Sequence, residues 1–310
     1  MVRYNGILPV NKEGGMTSHD VINRLRRITG QKKIGHTGTL DPMATGLLLT
    51  CFGRATLLSQ FMTDWDKTYR AEITLGKVSD TFDSEGIIRE SGIVPQFDES
   101  ELSAVLEGFL GRSIQKVPPY SAVKVKGKRL YEKARKGEVV ECPEKEIEIK
   151  SIRLLDFNRT HIFIEIECTK GTFIRRLADD IGHELGCGGY LSALERTNVG
   201  PFELDDAVSL AEVASLHETD TLVMALRPLE RVLEFPVINF SNKAARTIKN
   251  GSELTFKDIV DWNEDFSKGD LISMADEQGQ ILAIAKSKCD AGELKKTDGD
   301  SFYSYVRVLI

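Results

Sequence analysis

Hydrophobic positions near the start of the chain recur with the period of an amphipathic helix. In "TSHDVINRLRRI", apolar residues occur at i, i+4 and i+7, and the Thr-x-x-Asp that opens the stretch resembles a capping box. The pattern therefore predicts a short helix over residues 18–29. Its basic side chains Arg24, Arg26 and Arg27 are expected to face mostly outward and to be displayed together.

Two further stretches have a clear hydrophobic periodicity, one typical of a strand and one of a helix. "TYRAEITLG" alternates apolar and polar residues, which predicts a half-buried strand that ends at Gly76 and carries Tyr69 on its apolar face. Residues 100–111 have a helical pattern that ends at Gly111. The Pro118–Pro119 pair that follows predicts an extended or turning path.

The stretch "HIFIEIECTKGTFIRRLADDIGHEL" changes period midway. It predicts a strand over 162–168, a turn at 170–172 and a helix over 174–185. Helix N-termini favour acidic side chains, yet this helix begins with Arg175 and Arg176. One explanation is a set of i,i+4 ion pairs, Arg175–Asp179 and Arg176–Asp180. The other is that a cation at this turn faces an anion, either a phosphate or a functional carboxylate.

Asp41 stands between a Gly/Thr-rich approach and a proline in "KKIGHTGTLDPMATGLLLTCFG". Its side chain could cap a helix, with Pro42 at the first helical position. Alternatively, the turn presents the carboxylate to a substrate, since Gly35 and Gly38 permit close approach of the backbone. The local pattern leaves both interpretations open.

The pattern of hydrophobic and polar residues changes after about residue 234. Residues 271–287 read as a hairpin with turn residues 276–279, and the closing "SFYSYVRVLI" alternates as a strand does. Residues 201–234, with two Arg against eight Asp/Glu, look like an acidic linker. The sequence thus predicts two domains, 1–234 and a small β-rich domain over 235–310.

The net charge of −6 hides an uneven distribution. Residues 1–200 carry 29 Lys/Arg against 27 Asp/Glu, whereas 201–310 carry 12 against 20. Residues 22–33 hold five basic residues and no acid, and residues 112–136 hold nine against Glu132 alone. Either segment could be a solvated face or a polyanion site; Tyr120 and Tyr131, which could stack on bases, favour nucleic acid for the second.

Other function classes lack a signal in the sequence. No apolar run approaches the ~18 residues of a membrane span, and the first residues lack the apolar core of a signal peptide, so a cytoplasmic location is expected. The five cysteines and five histidines are dispersed without metal-ligand spacing. We therefore expect reduced thiols and no metal.

Six blocks make the chain recognisable when they are taken in order: "GHTGTLDPMATGLL", "DKTYRAEITLG", "DTFDSEG", "VPPYSAVKVKGKRLYEKARKG", "KGTFIRRLADDIGHELGCGGYLSALERT" and "VGPF". Together they closely resemble the TruB family of tRNA pseudouridine synthases, which convert uridine 55 in the T loop of tRNA. The resemblance runs from about Lys12 to residue 234, and the C-terminal piece is similar to a PUA domain. It implies an α/β (α+β) catalytic core on a mixed, mostly antiparallel sheet.

The resemblance also implies roles for individual residues. Asp41 matches the catalytic aspartate, Tyr69 the tyrosine that stacks against the target base, and Arg175 the arginine that pairs with the catalytic carboxylate. The substrate-binding set is His36, Leu194, Lys12 and Phe173, where Phe173 replaces the usual tyrosine of K-G-T-Y and so lacks its hydroxyl. From the two basic segments we expect RNA contacts by Arg24, Lys124, Lys126 and Arg129.

The implied reaction fits these residue types. Isomerising uridine involves no net redox change and no hydrolysis, so no cofactor is required. A carboxylate could act as a nucleophile at C1′ or C6, or as a base at C2′, and the sequence does not choose among them. The expected partner is the T stem-loop of tRNA, without an obligate protein partner.

Two alternative functions fit the sequence less well. A non-catalytic RNA-binding protein would have no need to retain Asp41, Tyr69 and Arg175 together. A small-molecule enzyme acting on a phosphorylated ligand would leave the basic segments unexplained, and the chain has no G-x-x-x-x-G-K-[ST] loop. The pseudouridine synthase is therefore the leading hypothesis.

Overall fold

The structure is a computed structural model that describes residues 4–121, 123–125, 127–130, 132, 141–249, 253–262, 264–296 and 301–309. The helices in these ranges are α1 (Ser18–Thr29), α2 (Ser59–Thr63), α3 (Glu99–Glu107), α4 (Ile174–Glu184), α5 (Leu210–Glu218), α6 (Leu222–Ala225) and α7 (Asn242–Lys249). Short 3₁₀ turns lie at Gly53–Leu57, Leu204–Asp206, Leu229–Arg231, Phe256–Asp258 and Ala291–Lys296.

The strands fall into a long N-terminal series and a shorter C-terminal one. The first is β1 (Gly6–Lys12), β2 (Ile34–His36), β3 (Thr45–Phe52), β4 (Lys67–Leu75), β5 (Lys77–Ser79), β6 (Ile88–Glu90), β7 (Gly111–Lys116), β8 (Lys124–Val125), β9 (Lys128–Arg129), β10 (Glu144–Phe157), β11 (His161–Cys168), β12 (Gly189–Val199) and β13 (Phe202–Glu203). The second is β14 (Val237–Phe240), β15 (Ile259–Trp262), β16 (Leu271–Asp276), β17 (Ile281–Ser287) and β18 (Tyr303–Val308).

A nine-stranded sheet forms the centre of the molecule. Its main path runs β1-β3-β12-β4-β11-β10-β7, with β2 paired to β3 and β13 to β12. The described pairs are antiparallel except β3 with β12, where Thr45 lies opposite Glu195 and Gly46 opposite Arg196. The predicted mixed, mostly antiparallel sheet is confirmed.

One face of this sheet carries the main apolar core. Tyr69 and Ile73 of β4 pack there with Ile164 of β11 and with Leu177 and Ile181 of α4. The alternating pattern of β4 and the helical stripe of α4 therefore bury their apolar positions against each other, as predicted. Tyr69 is 9% exposed and belongs to this core.

Helix α1 has the predicted bounds. Thr17 and Asp20 form the capping box, and Gly30 closes the helix in the left-handed region at φ 66°. Arg24 and Arg27 are exposed as expected. The outward prediction is wrong for Arg26, which is half-buried because its guanidinium donates to the carbonyl of Ile34 at 3.0 Å.

The helix-cap interpretation of Asp41 is wrong. No helix follows this residue; the chain turns and enters β3 at Thr45. The leucines after it, Leu47 to Leu49, are fully buried in a strand with neighbours on both sides. A continuous apolar run of this length is typical of a central strand as well as of a buried helix.

Two other boundaries differ from the prediction. Helix α3 ends at Glu107, and Gly111 at φ 87° already begins β7. Residues 201–234 are not a linker, because Leu210, Val213 and Leu222 are buried in the main core. Their apolar residues recur at helical spacing beneath an acidic surface, and composition alone hid that spacing.

The C-terminal residues form the predicted β-rich unit. Its five strands run β15-β14-β16-β17-β18, and β16 and β17 make the predicted hairpin, with Gly279 at φ 77° in the turn. Ile284 and Leu309 share one apolar cluster with Ile7 and Leu47 of the large sheet. The two sheets are thus joined by a common core. Across the ranges described, no helix is both long and apolar enough to cross a membrane.

The parallel contact between β3 and β12 requires a glycine at position 46. Gly46 has φ 96°, and a Cβ there would lie 2.4 Å from the carbonyl oxygen of Arg196. We expect Gly46→Ala to lower the free energy of unfolding by about 3 kcal/mol or more, measured by chemical denaturation. The control Gly279→Ala also lies at a positive φ, 77°, but has open space around it, and should cost only about 1 kcal/mol. Equal losses would contradict the close-approach argument.

Candidate active site

A cavity of about 430 Å³ opens beside the start of α4. It brings together residues from six separate stretches of the chain. Its walls include Asp41, Tyr69, Phe173, Arg175, Leu194 and Arg196. The three predicted catalytic residues, Asp41, Tyr69 and Arg175, therefore lie in one cavity, together with Leu194 and Phe173 of the predicted substrate-binding set.

The sheet register sets the apolar wall. Strand β12 pairs with β4 so that Arg196 lies opposite Tyr69 and Leu194 opposite Ala71, which places all four on the same face. Tyr69 and Leu194 are 9% and 8% exposed. The cavity thus has an aromatic ring and a leucine fixed by strands, with little freedom to move.

Arg175 is the central cation of the site. Its Nη1 lies 3.1 Å from Asp83 Oδ2, and its Nη2 donates to the carbonyl of Tyr120 at 2.8 Å. Its Nε lies 3.7 Å from Asp41 Oδ2, and within the described ranges this buried nitrogen has no hydrogen-bond partner. The guanidinium is therefore held from two sides while its third nitrogen faces the Asp41 carboxylate.

This geometry settles the alternatives for the two arginines. Arg176 takes the helical ion pairs, at 3.3 Å with Asp179 and 2.6 Å with Asp180. The predicted Arg175–Asp179 pair is wrong, because Arg175 turns into the protein instead, where its side chain is 6% exposed. The cation at the turn faces the carboxylates of Asp41 and Asp83.

Asp41 combines partial exposure with a dense protein surround. Its side chain is 35% exposed toward the cavity. Desolvation raises the pKa of Asp41 above its ordinary value, the Arg175 guanidinium lowers it, Asp83 raises it again and Lys12 lowers it. Desolvation is the largest of these effects, so the net shift of the Asp41 pKa is upward.

Asp83 is a site residue that sequence reasoning did not single out. It is 1% exposed, and its Oδ1 accepts from the hydroxyl of Thr81 at 2.6 Å and the backbone N–H of Glu85 at 3.0 Å. These bonds orient the carboxylate so that Oδ2 meets Arg175. The block "DTFDSEG" contains it, but nothing in the local pattern reveals a partner 92 residues away.

Residues 37–44, between β2 and β3, form the loop that carries Asp41 (the Asp41 loop). Lys12 lies beneath this loop and not in the cavity wall. It is 0% exposed, and its ammonium donates to the carbonyls of Met16 at 2.7 Å, Glu13 at 2.9 Å and Pro42 at 3.2 Å. These three bonds tie β1 to the residue that follows Asp41. The placement supports the loop and gives no support for direct contact with a substrate.

His36 ends β2, one residue before the cavity wall begins at Thr37. Burial lowers the pKa of His36, and the positive charge of Arg196 lowers it further. Its Nδ1 is buried and lacks a partner among the residues that the structure describes. His36 is therefore held neutral at pH 7 beside the cavity.

Two further cations were missed by the sequence analysis. Arg196, 2% exposed, donates to the carbonyls of Leu47 at 2.7 Å and Gly38 at 3.2 Å, and so fastens the loop that leads to Asp41. Lys67 donates to the carbonyls of Thr63, at 2.7 Å, and Trp65, and burial lowers its pKa to about 8. Both side chains line the cavity together with Lys145, Lys170 and Arg175, whereas the described lining contains one carboxylate, that of Asp41.

The predicted RNA-binding residues are only partly visible. Arg24 is exposed on α1, and the backbones of Lys124 and Arg129 pair between β8 and β9. Lys126 and the side chains of Lys124 and Arg129 lie outside the described part of the structure. The same is true of Tyr131.

Comparison with known proteins covers nearly the whole chain. The model of the TruB family pseudouridylate synthase N-terminal domain matches residues 26–174, that of the tRNA pseudouridylate synthase B C-terminal domain matches 175–234, and that of the PUA domain matches 236–309. The chain is 44% identical over 291 residues to tRNA pseudouridine synthase B of Staphylococcus haemolyticus, covering 91% of this chain and 94% of that protein. It is 43% identical over 249 residues to the protein of the same name from Caldanaerobacter subterraneus, covering 80% and 85%.

Solved structures share the fold at lower identity. An archaeal box H/ACA sRNP Nop10–Cbf5 complex contains a chain with TM-score 0.75 and 24% identity, covering 99% of this chain and 86% of that one. An H/ACA RNP bound to a substrate RNA containing 2′-deoxyuridine gives TM-score 0.75 at 22% identity, covering 98% and 85%. The fold, the assembled cavity and the sequence matches agree: this chain belongs to the TruB family of pseudouridylate synthases, with a C-terminal PUA domain.

Proposed function

We propose that this protein converts uridine 55 in the T loop of tRNA to pseudouridine, with Asp41 as the catalytic carboxylate. The relatives named above are tRNA pseudouridine synthases B, which supports tRNA as the substrate. The observation that carries the proposal is the Asp41 carboxylate, 3.7 Å from a buried arginine in a cavity walled by Tyr69 and Leu194.

The chemistry requires a carboxylate in a sheltered site. The N1–C1′ bond breaks, the uracil turns, and a C5–C1′ bond forms; C5 loses its proton and N1 carries one in the product. An ionised Asp41 can act as a nucleophile at C1′ or C6 or as a base at C2′. Arg175 favours the ionised form against the desolvation that opposes it.

The target base must leave the RNA stack to reach Asp41. Extrusion costs a few kcal/mol, which contacts elsewhere on the RNA must offset. We assign the stacking contact to Tyr69, the opposite wall to Leu194, and a ring contact to Phe173, all of which line the cavity. Arg24, Lys124, Lys126 and Arg129 are assigned to the RNA backbone, and His36 to the T loop.

The proposal also includes the domain bounds, the cellular location, the binding partner and the role of Lys12. The catalytic domain spans residues 1–234 and the PUA-like domain 235–310. The protein acts in the cytoplasm on the T stem-loop without an obligate protein partner or cofactor. Lys12 enters as a support for the Asp41 loop, because its ammonium is fully occupied by three carbonyls.

The direct test is incubation of the purified protein with an unmodified tRNA transcript, followed by mapping of pseudouridine. Product at position 55, and none in a transcript that carries cytidine there, is the expected result. Product at another position would overturn the substrate assignment, and no product in any tRNA would overturn the proposed activity.

Asp41→Asn should abolish pseudouridine formation while leaving the fold and tRNA binding intact. An amide is neither an adequate nucleophile nor a base, yet it has nearly the same shape. Single-turnover product, tRNA affinity and thermal unfolding should be measured beside Asp205→Asn, an exposed position expected to behave as wild type. Wild-type product from Asp41→Asn, with mass spectrometry excluding reversion to aspartate, would refute the catalytic assignment.

Charge reversal of Lys124, Lys126 and Arg129 to glutamate should weaken tRNA binding and flatten its salt dependence. Each lost phosphate contact lowers the slope of log K against log[salt] by about 0.7–0.9, so three contacts amount to about two units or more. A control that reverses Lys243, Lys257 and Lys268 makes the same change in net charge on the C-terminal domain. An unchanged slope in the first variant, or an equal change in both, would contradict the assignment.

Phe173→Tyr should leave the rate of pseudouridine formation within about twofold, because the ring supplies the packing. Phe173→Ala should lower it by about tenfold or more through the lost wall of the cavity. Single-turnover rates at saturating enzyme check both. A large rise in rate for Phe173→Tyr would show instead that the missing hydroxyl limits this enzyme.

A further inference from the structure

The side chain of Gln115 connects β7 to the start of α4 by two hydrogen bonds. It lies in β7 and is 5% exposed. Its Oε1 accepts from the backbone N–H of Phe173 at 2.8 Å, and its Nε2 donates to the backbone carbonyl of the same residue at 3.1 Å. One buried side chain thus holds both polar backbone groups of a residue 58 positions away.

Phe173 is the N-cap residue of helix α4, which begins at Ile174, and this helix lacks a conventional side-chain cap. The Phe173 side chain makes no capping hydrogen bond, and the first turn contains no acidic residue. The Phe173 carbonyl accepts the first helical bonds, from the N–H groups of Arg176 and Leu177. Gln115 therefore fixes the peptide groups from which the helix starts.

The same segment also reaches the catalytic arginine. Five residues after Gln115, the carbonyl of Tyr120 accepts from Arg175 Nη2 at 2.8 Å. Between these two points lie Pro118 and Pro119, whose rings restrict the backbone. Residues 115–120 consequently hold both the backbone before Arg175 and the guanidinium itself.

We propose that Gln115 is a positioning residue, which holds the start of α4 so that the Arg175 guanidinium faces Asp41. For activity, the inference rests on the function proposed above. It adds a second role for the basic segment 112–136, which contains the predicted RNA-binding residues. This segment also sets the position of Arg175 relative to Asp41. A shift of α4 by even one ångström would change the 3.7 Å separation of Arg175 Nε and Asp41 Oδ2.

Loss of the Gln115 side chain should shift the pKa of Asp41 in a definite direction. The groups that act on it from the surrounding elements are Arg175 of α4, Lys12 of β1, Asp83 and Glu85 between β5 and β6, and Tyr69 of β4. Of these, only Arg175 depends directly on the Gln115 contacts. Moving that cation away removes the effect that lowers the Asp41 pKa, so losing Gln115 should raise this pKa.

The test compares Gln115→Met with a matched control elsewhere in the chain. Methionine has a similar length and makes neither hydrogen bond. Gln31 holds Tyr4 in the same manner, accepting from its N–H at 2.8 Å and donating to its carbonyl at 2.9 Å. Gln31→Met therefore removes an equivalent pair of bonds between residues that do not line the cavity.

The Asp41 pKa can be read without substrate. Protein carrying ¹³C-labelled aspartate carboxyls is titrated by NMR, and the Asp41 signal is assigned by its absence in Asp41→Asn. We expect Gln115→Met to raise the Asp41 pKa by about 0.5–1 unit and Gln31→Met to leave it unchanged, with similar losses in melting temperature. In an Arg175→Gln background, Gln115→Met should cause no further shift, because the cation it positions is absent.

Activity supplies the second readout. Single-turnover pseudouridine formation by Gln115→Met should fall further below wild type as the pH is lowered, to a limit of about 3–10-fold at a pH below the Asp41 pKa for a shift of about 0.5–1 unit, and should approach wild type as the pH rises, since a raised pKa leaves less Asp41 ionised at low pH. An Asp41 pKa within about 0.2 unit of wild type in folded Gln115→Met would overturn the inference. So would an equal shift in the Arg175→Gln background.

Two safeguards keep the outcome readable. If Gln115→Met fails to fold, Gln115→Asn is used with the same expectation, because its amide is too short to span both backbone groups of Phe173. Wild-type protein that forms no pseudouridine would refute the proposed function, while the NMR titration would still decide the role of Gln115.

Discussion

The site depends on one buried positive charge that cannot be neutralised. An arginine remains protonated in any protein environment, and removing it from water costs several kcal/mol unless its donors are matched. Arg175 meets this cost with the Asp83 carboxylate at 3.1 Å and the Tyr120 carbonyl at 2.8 Å. Those two acceptors leave Nε directed at Asp41. The position of the cation beside Asp41, the proposed catalytic carboxylate, is therefore fixed by Asp83 and by the backbone of Tyr120.

The partners of that charge come from distant parts of the chain, and the sheet brings them together. The parallel contact of β3 with β12 sets the end of the Asp41 loop beside the strand that carries Leu194. Arg196 fastens the same loop through Gly38, and Lys12 fastens it from below through Pro42. Buried cations bonded to backbone carbonyls thus hold a loop that has no regular structure of its own. This arrangement lets an irregular segment present a carboxylate with the rigidity of a strand.

Sequence patterns predicted what depends on neighbours in the chain. The capping box and period of α1, the alternation of β4 and the strand-turn-helix that ends in α4 are local features, and the structure confirms them. Predictions from sequence patterns were wrong where tertiary contacts decide the structure. The leucines after Asp41 read equally as helix or strand until their neighbours are known. Arg175 leaves its i+4 partner because Asp83, 92 residues away, offers a buried acceptor. Resemblance to the family singled out Asp41, Tyr69 and Arg175, which the fold brings into one cavity, but nothing local distinguishes Asp83 or Gln115 from ordinary polar residues.

The same electrostatics link the site to stability. Asp41 has a raised pKa in the folded protein, so the native state binds its proton more tightly than the unfolded chain does. Between the ordinary pKa of 3.8 and the raised native value, stability therefore falls as pH rises, and above that window the ionised carboxylate is a net cost to the fold. Desolvation by the fold thus opposes ionisation of Asp41 while Arg175 favours it, and this balance is what the proposed role of Asp41 as nucleophile or base would require.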